Sequence, residues 1–203
     1  MKQPKTPQSK LDKVLPYLFI VMSIVGLFAS FIIMTDKIKL LENPNYIPPC
    51  SLNPVLSCGP VMKSKQAATF GFPNPFVGLA AFGSLLTIGM AMLAGAKFKR
   101  WFWLGLEAGT IFGIGFVHYL FFQSVYRIKA LCIYCMMVWA ATIILFVYVT
   151  LYNLRHGHIS TPKKLEKPVA FLQRHHVDLI VLWLLIITGL ILNHFWYYFG
   201  PRI

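Results

Sequence analysis

The sequence predicts an all-α integral membrane protein with five transmembrane helices. Of its 203 residues, 57% are hydrophobic and only 12% are charged, whereas a soluble domain carries about 25% charged residues. The apolar residues form long runs, and about 20 consecutive apolar residues can cross a bilayer. The formal charge of +13 could suggest a nucleic-acid partner, but the basic residues lie between the runs. The charge therefore indicates membrane topology, and we expect no nucleic-acid partner.

Five apolar runs are long enough to cross the bilayer. We predict spans at 14–34, 75–96, 101–125, 132–151 and 177–199. The chain therefore divides into a basic tail (1–13), a four-helix core (14–153) with an outer loop (35–74), a basic linker (154–176), and a fifth helix with a short outer tail (177–203). A cleaved signal peptide is the competing interpretation of the first run, but its apolar core is usually shorter, and no small-x-small site follows this run.

Signals at the ends of the runs support these spans. Six prolines between positions 44 and 73 interrupt any long helix in the outer loop, so this loop must lie outside the hydrocarbon or pack against helices. Asn74 followed by Pro75 is typical of a helix start, with Asn as the N-cap. Aromatic residues suited to the membrane interface begin the third run and end the fifth. The glycines of the third run indicate close helix packing: Gly105, Gly109, Gly113 and Gly115.

The distribution of Lys and Arg predicts the orientation. With five spans, the tail, the link between the second and third runs, and the linker lie on one side of the membrane, and this side holds more basic residues than the other. Basic loops remain on the cytoplasmic side. We therefore expect a multi-pass protein of the cell inner (cytoplasmic) membrane, with its N-terminus in the cytoplasm. The outer loop and the start of the fourth run then lie on the extracytoplasmic face.

The four cysteines form two close pairs, and this topology places both pairs on the outer face. Cys50 and Cys58 lie in the outer loop, and Cys132 and Cys135 stand at the head of the fourth run. Two thiols three residues apart share one face of a helix. The first falls in the opening turn, where unpaired N–H groups and the positive end of the helix dipole favour a thiolate. In an oxidising compartment such a pair indicates a redox device.

Two other interpretations of the cysteines remain open at this point. Zinc requires four soft ligands, which the cysteines could supply, but seven residues between Cys50 and Cys58 exceed the usual spacing. We expect no metal in an oxidising compartment. Permanent structural disulfides would suit the loop pair. They suit Cys132 and Cys135 less well, because a bond within one helical turn ties together nothing distant.

Three segments, in this order, resemble the vitamin K epoxide reductase family, and most closely its bacterial members that make disulfide bonds. They are the Cys50–Cys58 pair, FGFPNPFVGL at 70–79 and LCIYC at 131–135. The resemblance covers roughly residues 14–151. It implies four helices bundled around a quinone, either a ubiquinone or a menaquinone, with a variable fifth helix. Bacterial members often carry a fused thioredoxin-like domain. This chain stops at Ile203, so we expect a separate thioredoxin-fold (DsbA-like) partner.

The resemblance also implies a role for each cysteine. Cys50 would form a mixed disulfide with the reduced partner, and Cys58 would attack the Cys132–Cys135 disulfide at Cys132. Cys135, one turn deeper, would face the quinone and reduce it. Each transfer between sulfurs is the attack of a thiolate on a disulfide, which needs access, alignment and a low thiol pKa. The implied activity is that of a membrane thiol:quinone oxidoreductase that supports disulfide formation in exported proteins.

Four residues are candidates for binding the quinone: Asn74, Phe76, His118 and Trp139. Asn74 matches the family position whose amide bonds a quinone carbonyl, and it also suits a helix cap. Trp139 stands one turn below Cys135, where the animal enzymes carry a tyrosine, so we do not expect vitamin K epoxide itself as the substrate. Packing is the alternative role of Trp139 and Phe76. For His118 the alternative is a hydrogen bond to a neighbouring helix.

Two other functions remain as alternatives. One is a quinone-coupled oxidase of the DsbB type, but there the Cys-x-x-Cys lies in the first outer loop and the wider pair follows, which is the reverse of the order here. The other is a multi-span scaffold or transport subunit whose cysteines are structural. That function predicts that Cys132→Ser and Cys135→Ser are tolerated.

Overall fold

The computed structural model describes residues 10–160, 162 and 166–200. Over these residues it contains eight α-helices: α1 (Lys10–Glu42), α2 (Cys58–Lys63), α3 (Pro75–Leu93), α4 (Arg100–Phe122), α5 (Ile133–Arg155), α6 (Glu166–Arg174), α7 (His176–His194) and α8 (Trp196–Phe199). A 3-10 turn, Lys65–Ala68, follows α2, and a π-helical segment, Gln123–Ile128, extends α4. In the described ranges the isolated bridge between Leu56 and Leu131 is the only β-type pairing.

Five of these helices, α1, α3, α4, α5 and α7, are long and apolar enough to cross a membrane. This confirms the prediction of an all-α integral membrane protein with five spans. α1 begins at Lys10, inside the predicted basic tail, and the tail residues before it lie outside the described part of the chain. α6 lies within the predicted linker (154–176).

α1 continues to Glu42, about two turns beyond the predicted end of the first span at residue 34. Polar residues from Thr35 onward lower the hydropathy without breaking a helix, whereas Pro44 does prevent its continuation. Ile33 and Leu40 are both buried, so the extension of α1 has an inward face. The beginning of the predicted outer loop is therefore helical.

The four core helices surround a cavity. α1 packs along α3 on one side and α5 on the other, and α5 packs on α4, which gives the order α3–α1–α5–α4. Phe19 of α1, Phe82 of α3, Trp103 of α4 and Leu145 of α5 meet in one apolar core. α7 packs against α5 outside this order, whereas α3 and α4 make no comparable contact over the described residues. One side of the bundle is therefore open between α3 and α4.

Close approach of α1 and α3 depends on glycines of these two helices (Gly26, Gly78 and Gly89), not on the glycines of α4. A Cβ atom at Gly26 would collide with the buried ring of Phe82 on α3. In α4 there is open space where Gly105, Gly109 and Gly115 would carry a Cβ atom. The prediction that glycines of the third run serve close packing is therefore wrong at these three positions.

The buried carboxylate of α4, Glu107, is fully engaged in hydrogen bonds with α5. Its two oxygens accept from the Thr150 hydroxyl at 2.7 Å and from the Asn153 amide at 2.9 Å. The Asn153 carbonyl oxygen accepts from Nδ1 of His158, a linker histidine, at 3.0 Å. Burial lowers the pKa of His158, so the ring is a neutral donor at neutral pH. This network fastens α4 to α5 and ties the linker to both.

We expect Gly26→Ala to push α1 away from α3 and to lower the free energy of unfolding by about 1–3 kcal/mol, the usual cost of overpacking. Gly83→Ala on α3 is the matched control, because the space around Gly83 is open and alanine is the better helix former. Thermal unfolding followed by circular dichroism compares the two variants. Equal melting temperatures would contradict the close contact between Gly26 and Phe82.

Candidate redox site

Sulfurs of the two cysteine pairs meet at one end of the bundle. Cys50 and Cys58 form a disulfide, and the Cys58 sulfur lies 3.2 Å from the Cys132 sulfur, across 74 residues of sequence. Cys132 and Cys135 are free thiols. Cys58 and Cys132 are fully buried, and Cys50 is 5% exposed. The two pairs therefore share one face of the bundle, as the predicted topology requires.

A short backbone pairing between the outer loop and the segment before α5 brings the two pairs together. Leu56 and Leu131 form a parallel bridge. The Leu131 N–H donates to the Val55 carbonyl at 2.7 Å, and the Ser57 N–H donates to the Leu131 carbonyl at 2.9 Å. In each segment a cysteine follows these paired residues directly. The bridge therefore aligns the two sulfurs that touch.

Two lysines fasten the outer loop to the extension of α1 and to α2. Lys37 Nζ donates to the carbonyl of Met62 at 2.6 Å, and Lys63 Nζ donates to the carbonyl of Pro44 at 2.8 Å. Met62 belongs to α2, which begins at Cys58. α2 is therefore held against α1, and the extension of α1 forms a wall beside the sulfurs.

Cys132 occupies the N-cap of α5, and Cys135 lies in the first turn of this helix. The pKa of the Cys132 thiol is lowered, first by a hydrogen bond with the Cys135 thiol and also by the backbone N–H groups of Cys135 and Tyr134. Burial of Cys132, the second largest effect, acts in the opposite direction. The start of the helix therefore favours a thiolate at Cys132.

A cavity of about 320 Å³ lies between the four core helices. Its wall is almost entirely apolar, and its volume falls in the range of small-ligand sites. Cys135 and Trp139 line it from α5, and Phe82 lines it from α3. Gly109 and Gly113 of α4 also lie on the wall and leave room because they have no side chain. The series of sulfurs thus ends at an apolar chamber.

The cavity reaches the gap between α3 and α4. Val77 and Ala81 of α3 and Phe112 and Phe116 of α4 lie on its wall. Phe70, from the loop before α3, packs against Phe112 and Phe116 with ring centroids 6.2 and 5.2 Å apart. An opening lined by apolar side chains suits a ligand that arrives from the lipid.

Asn74 holds the N-cap position of α3 with Pro75 at the first helical position, as predicted, but its side chain makes no capping hydrogen bond. The amide instead closes the preceding loop. Its Nδ2 donates to the Gln66 carbonyl at 2.7 Å, and its Oδ1 accepts from the Thr69 N–H at 2.9 Å. Asn74 also lines the cavity. Because an amide nitrogen carries two N–H groups, one donor remains beyond the one that Gln66 accepts.

Trp139 and Phe76, both candidates for the quinone site, have different surroundings. Trp139 lines the cavity, is 4% exposed, and packs edge-on against Phe121. Phe76 is not among the residues of the cavity wall. It is 47% exposed and contacts the ring of Phe72.

His118, the fourth candidate, faces the fifth membrane helix and not the cavity. Its Nδ1–H donates to the Ile114 carbonyl at 2.8 Å, and its Nε2 accepts from the Trp183 indole of α7 at 3.0 Å. Both ring nitrogens are therefore engaged, one of them by a neighbouring helix, which is the alternative role that the sequence offers. Phe195, which follows α7, is fully buried in the same cluster as Leu131. The fifth helix therefore braces the segment that carries Cys132.

Asp36 lies on the face of α1 that packs against the sulfur cluster, a position that the hydropathy pattern does not predict. It is 4% exposed, and its Oδ1 accepts from the Tyr46 hydroxyl at 2.9 Å. Ile33 and Leu40, three residues before it and four after, both pack in the cluster that contains the sulfurs. This spacing is the signal that marks Asp36 as inward-facing, but only once the helix is known to continue beyond residue 34.

A model of the vitamin K epoxide reductase family matches residues 17–150. The chain belongs to this family. The matched part of the chain includes all four cysteines, Asn74 and Trp139, whereas α7 lies outside the match. No curated protein matches the chain.

The site fits the quinone that this family implies better than it fits a metal ion. The sulfurs of Cys50, Cys58 and Cys132 lie within 4.8 Å of one another, but the first two are joined in a disulfide and are not thiolate ligands in this state. The apolar cavity, by contrast, presents the Cys135 thiol and the Asn74 amide to a ligand that lacks charge.

We expect the double variant Cys50→Ser/Cys135→Ser to form a Cys58–Cys132 disulfide rapidly under mild oxidation with diamide, because these two sulfurs already touch. The control, Cys58→Ser/Cys132→Ser, leaves two cysteines between which the structure records no contact, and should cross-link at least about tenfold more slowly. Mass spectrometry of non-reduced peptides measures both rates. Equal rates would contradict the observed alignment of the sulfurs.

Proposed function

We propose that this protein is a membrane thiol:quinone oxidoreductase that oxidises a separate thioredoxin-fold partner and supports disulfide formation in exported proteins. The observation that carries the proposal is the order of the sulfurs, from Cys50 in the outer loop, through Cys58 and Cys132, to Cys135 at the cavity wall. Membership of the family supports oxidoreductase chemistry at these cysteines.

The first transfer takes place in the outer loop. A thiolate of the reduced partner attacks the loop disulfide at Cys50, forms a mixed disulfide and releases Cys58. The second thiolate of the partner then attacks the partner's own sulfur in this bond and releases Cys50. The partner leaves with a disulfide, and the two loop cysteines are left reduced. The exposed side chains of Ile47 and Leu52, at 75% and 65%, flank Cys50 and offer the partner an apolar contact.

The second transfer joins the two pairs. Cys58 attacks the Cys132–Cys135 disulfide at Cys132 and releases Cys135 as a thiolate. Cys50 then attacks Cys58, which restores the loop disulfide and releases Cys132. The 3.2 Å contact supports Cys58 and Cys132 as the exchanging atoms. The arrangement in the structure, with a loop disulfide and two free thiols, corresponds to the product of this transfer.

The third transfer takes place at the cavity. A quinone bound there would supply an acceptor for two electrons and two protons. Cys135 presents its sulfur to the cavity from the first turn of α5, and the remaining N–H of Asn74 suits a ligand carbonyl. The apolar wall excludes water, and Trp139 offers a flat aromatic surface. Cys132 and Cys135 then return to a disulfide.

The orientation of the protein follows from the same chemistry. Disulfides persist in oxidising compartments and not in the cytosol, so the sulfur end of the bundle belongs on the extracytoplasmic face of the inner membrane. The excess of basic residues in the tail, the second link and the linker supports a cytoplasmic N-terminus. The gap between α3 and α4 then offers a lipid-soluble quinone a path from the bilayer.

The decisive experiment mixes the purified protein anaerobically with a reduced thioredoxin-fold protein and with ubiquinone or menaquinone, and follows quinone absorbance. We expect thiol-dependent quinone reduction that Cys132→Ser and Cys135→Ser each abolish. Cys50→Ser should block oxidation of the partner but leave the Cys132–Cys135 disulfide able to form with quinone. If no quinone is reduced, or if both serine variants are fully active, the proposal fails and structural cysteines become the better explanation.

A leucine at Gly109 should fill the cavity and weaken quinone use while the bundle stays folded. Gly109 lines the cavity with open space beside it, whereas Gly105, one turn earlier on α4, is equally open but does not line the cavity. We expect Gly109→Leu to raise the half-saturating quinone concentration at least about tenfold, which corresponds to about 1.4 kcal/mol of lost binding. Gly105→Leu is the matched control and should leave it unchanged. Indistinguishable kinetics would argue against this cavity as the quinone site.

A further inference from the structure

A buried carboxylate beside the sulfurs has no part in the transfers described above. Asp36 is 4% exposed and lies on α1 between Ile33 and Leu40, which pack in the cluster that contains Cys58 and Cys132. Side chains three or four residues apart on a helix share a face. Asp36 therefore lies on the face of α1 that packs against the cluster of the sulfurs, at the end of the bundle where the proposed exchange takes place.

Only one of its oxygens has a hydrogen-bond partner. Oδ1 accepts from the Tyr46 hydroxyl, whereas Oδ2 is buried with no partner among the described residues. Burying a carboxylate oxygen without a partner costs stability, so a role in the chemistry of the site is a reason for its presence. The hydrogen bond to Asp36 raises the pKa of Tyr46. Tyr46 is half-buried in the outer loop, so it connects the carboxylate with the surface.

Cys132 requires a proton acceptor within the protein, because bulk water does not reach its sulfur. It is fully buried, yet in the proposed cycle it alternates between a thiol and a disulfide, so it loses and regains one proton. The pKa of Cys132 is lowered first by the Cys135 thiol, raised by burial, lowered by the helix N–H groups, and raised by the negative charge of Asp36. The carboxylate is therefore within electrostatic reach of the thiol.

The other titratable groups around this pair do not offer an equivalent acceptor. In the described part of the chain they are lysines, tyrosines and cysteines, which at neutral pH are ordinarily protonated or, for two of the cysteines, disulfide-bonded. They are Lys37, Lys39, Tyr46, Cys50, Cys58, Lys63, Tyr134 and Cys135.

We propose that Asp36 is the internal proton acceptor and donor for Cys132, and that Tyr46 links it to the outer surface. The proposal rests on the thiol–disulfide exchange of the proposed function but not on the identity of the final electron acceptor. It gives Oδ2 of Asp36 a chemical role and explains how the buried Cys132 exchanges protons.

The step balances within the protein. From the state in the structure, the Cys132 thiol gives its proton to Oδ2 of Asp36, and the resulting thiolate attacks the Cys58 sulfur. The Cys58–Cys132 bond forms, the Cys50–Cys58 bond breaks, and Cys50 leaves as a thiolate. No electron enters or leaves. In the direction of partner oxidation the steps run backwards, and the Asp36 carboxyl returns the proton to Cys132 as Cys50 displaces it.

The test uses the purified full chain carrying Cys135→Ser, without quinone or partner. Cys132 is then the one free cysteine beside the loop disulfide. Each attack on Cys58 releases Cys50, which excess N-ethylmaleimide traps, and mass spectrometry counts the product that carries labelled Cys50 and a Cys58–Cys132 bond. We expect trapping to depend only weakly on pH between 6 and 9, because the acceptor is internal. Adding Asp36→Asn should slow trapping about 100-fold at pH 7, a typical contribution of general base catalysis.

The pH profile separates this role from a structural one. In the Asp36→Asn variant the proton must leave to hydroxide, so the rate should rise about tenfold per pH unit below the pKa of Cys132. A structural role predicts little effect, because the Asn amide oxygen still accepts the hydrogen bond from Tyr46. Asp36→Glu, which restores a carboxylate, should recover the shallow profile. An Asp36→Asn rate equal to or above that of the parent would overturn the proposal.

Glu107→Gln is the matched control, because it makes the same change at the other buried carboxylate of the described residues, away from the sulfurs. It should leave the trapping rate unchanged. If Asp36→Asn does not fold, the solvent deuterium isotope effect on the trapping rate of the parent tests the proposal instead. A clear isotope effect supports proton transfer within the step, and the absence of an effect overturns the proposal. Failure of quinone reduction would leave this result standing, because the assay contains no quinone.

Discussion

The structure depends on one contact, between two buried sulfurs that belong to distant parts of the chain. Thiol–disulfide exchange requires a thiolate within bonding reach of a disulfide sulfur, and Cys58 and Cys132 lie 3.2 Å apart. Neither segment could hold this position alone, because residues 43–57, between α1 and α2, form no helix that would align Cys58. The Leu56–Leu131 bridge supplies the alignment. The lysine contacts of the outer loop, and the burial of Phe195 beside Leu131, then keep the bridge in place.

At this contact, electrons and protons meet different surroundings. In the proposed cycle, electrons pass between buried sulfurs toward an apolar cavity, and this transfer requires no water. Protons need polar groups, and the two buried carboxylates of the described residues differ in this respect. Both oxygens of Glu107 accept hydrogen bonds from α5, which makes it part of the framework. Asp36 keeps one buried oxygen unpartnered beside the sulfurs, and an unsatisfied buried group of this kind points to chemistry more than to stability.

Much of this arrangement could be predicted from the sequence, and the exceptions have physical causes. The five spans follow from hydropathy, and the meeting of the two cysteine pairs follows from counting spans. The extension of α1 was not predictable from hydropathy, because polar residues at the end of a span do not break a helix. The third-span glycines face open space or the cavity, since spacing alone does not identify the neighbour of a helix face. Phe76 and His118 lie away from the cavity wall, and spacing along the chain could not predict this either.

The sequence by itself determined the membrane class and the number of spans, because these depend on the local composition of each segment. Only the tertiary structure decided which sulfurs touch, that the Asn74 amide closes a loop instead of capping α3, that His118 bonds to the fifth helix, and that Asp36 is buried. Each of these depends on which side chains of separate segments approach within a few ångströms. Periodicity shows that a side chain points inward, but packing decides what it meets.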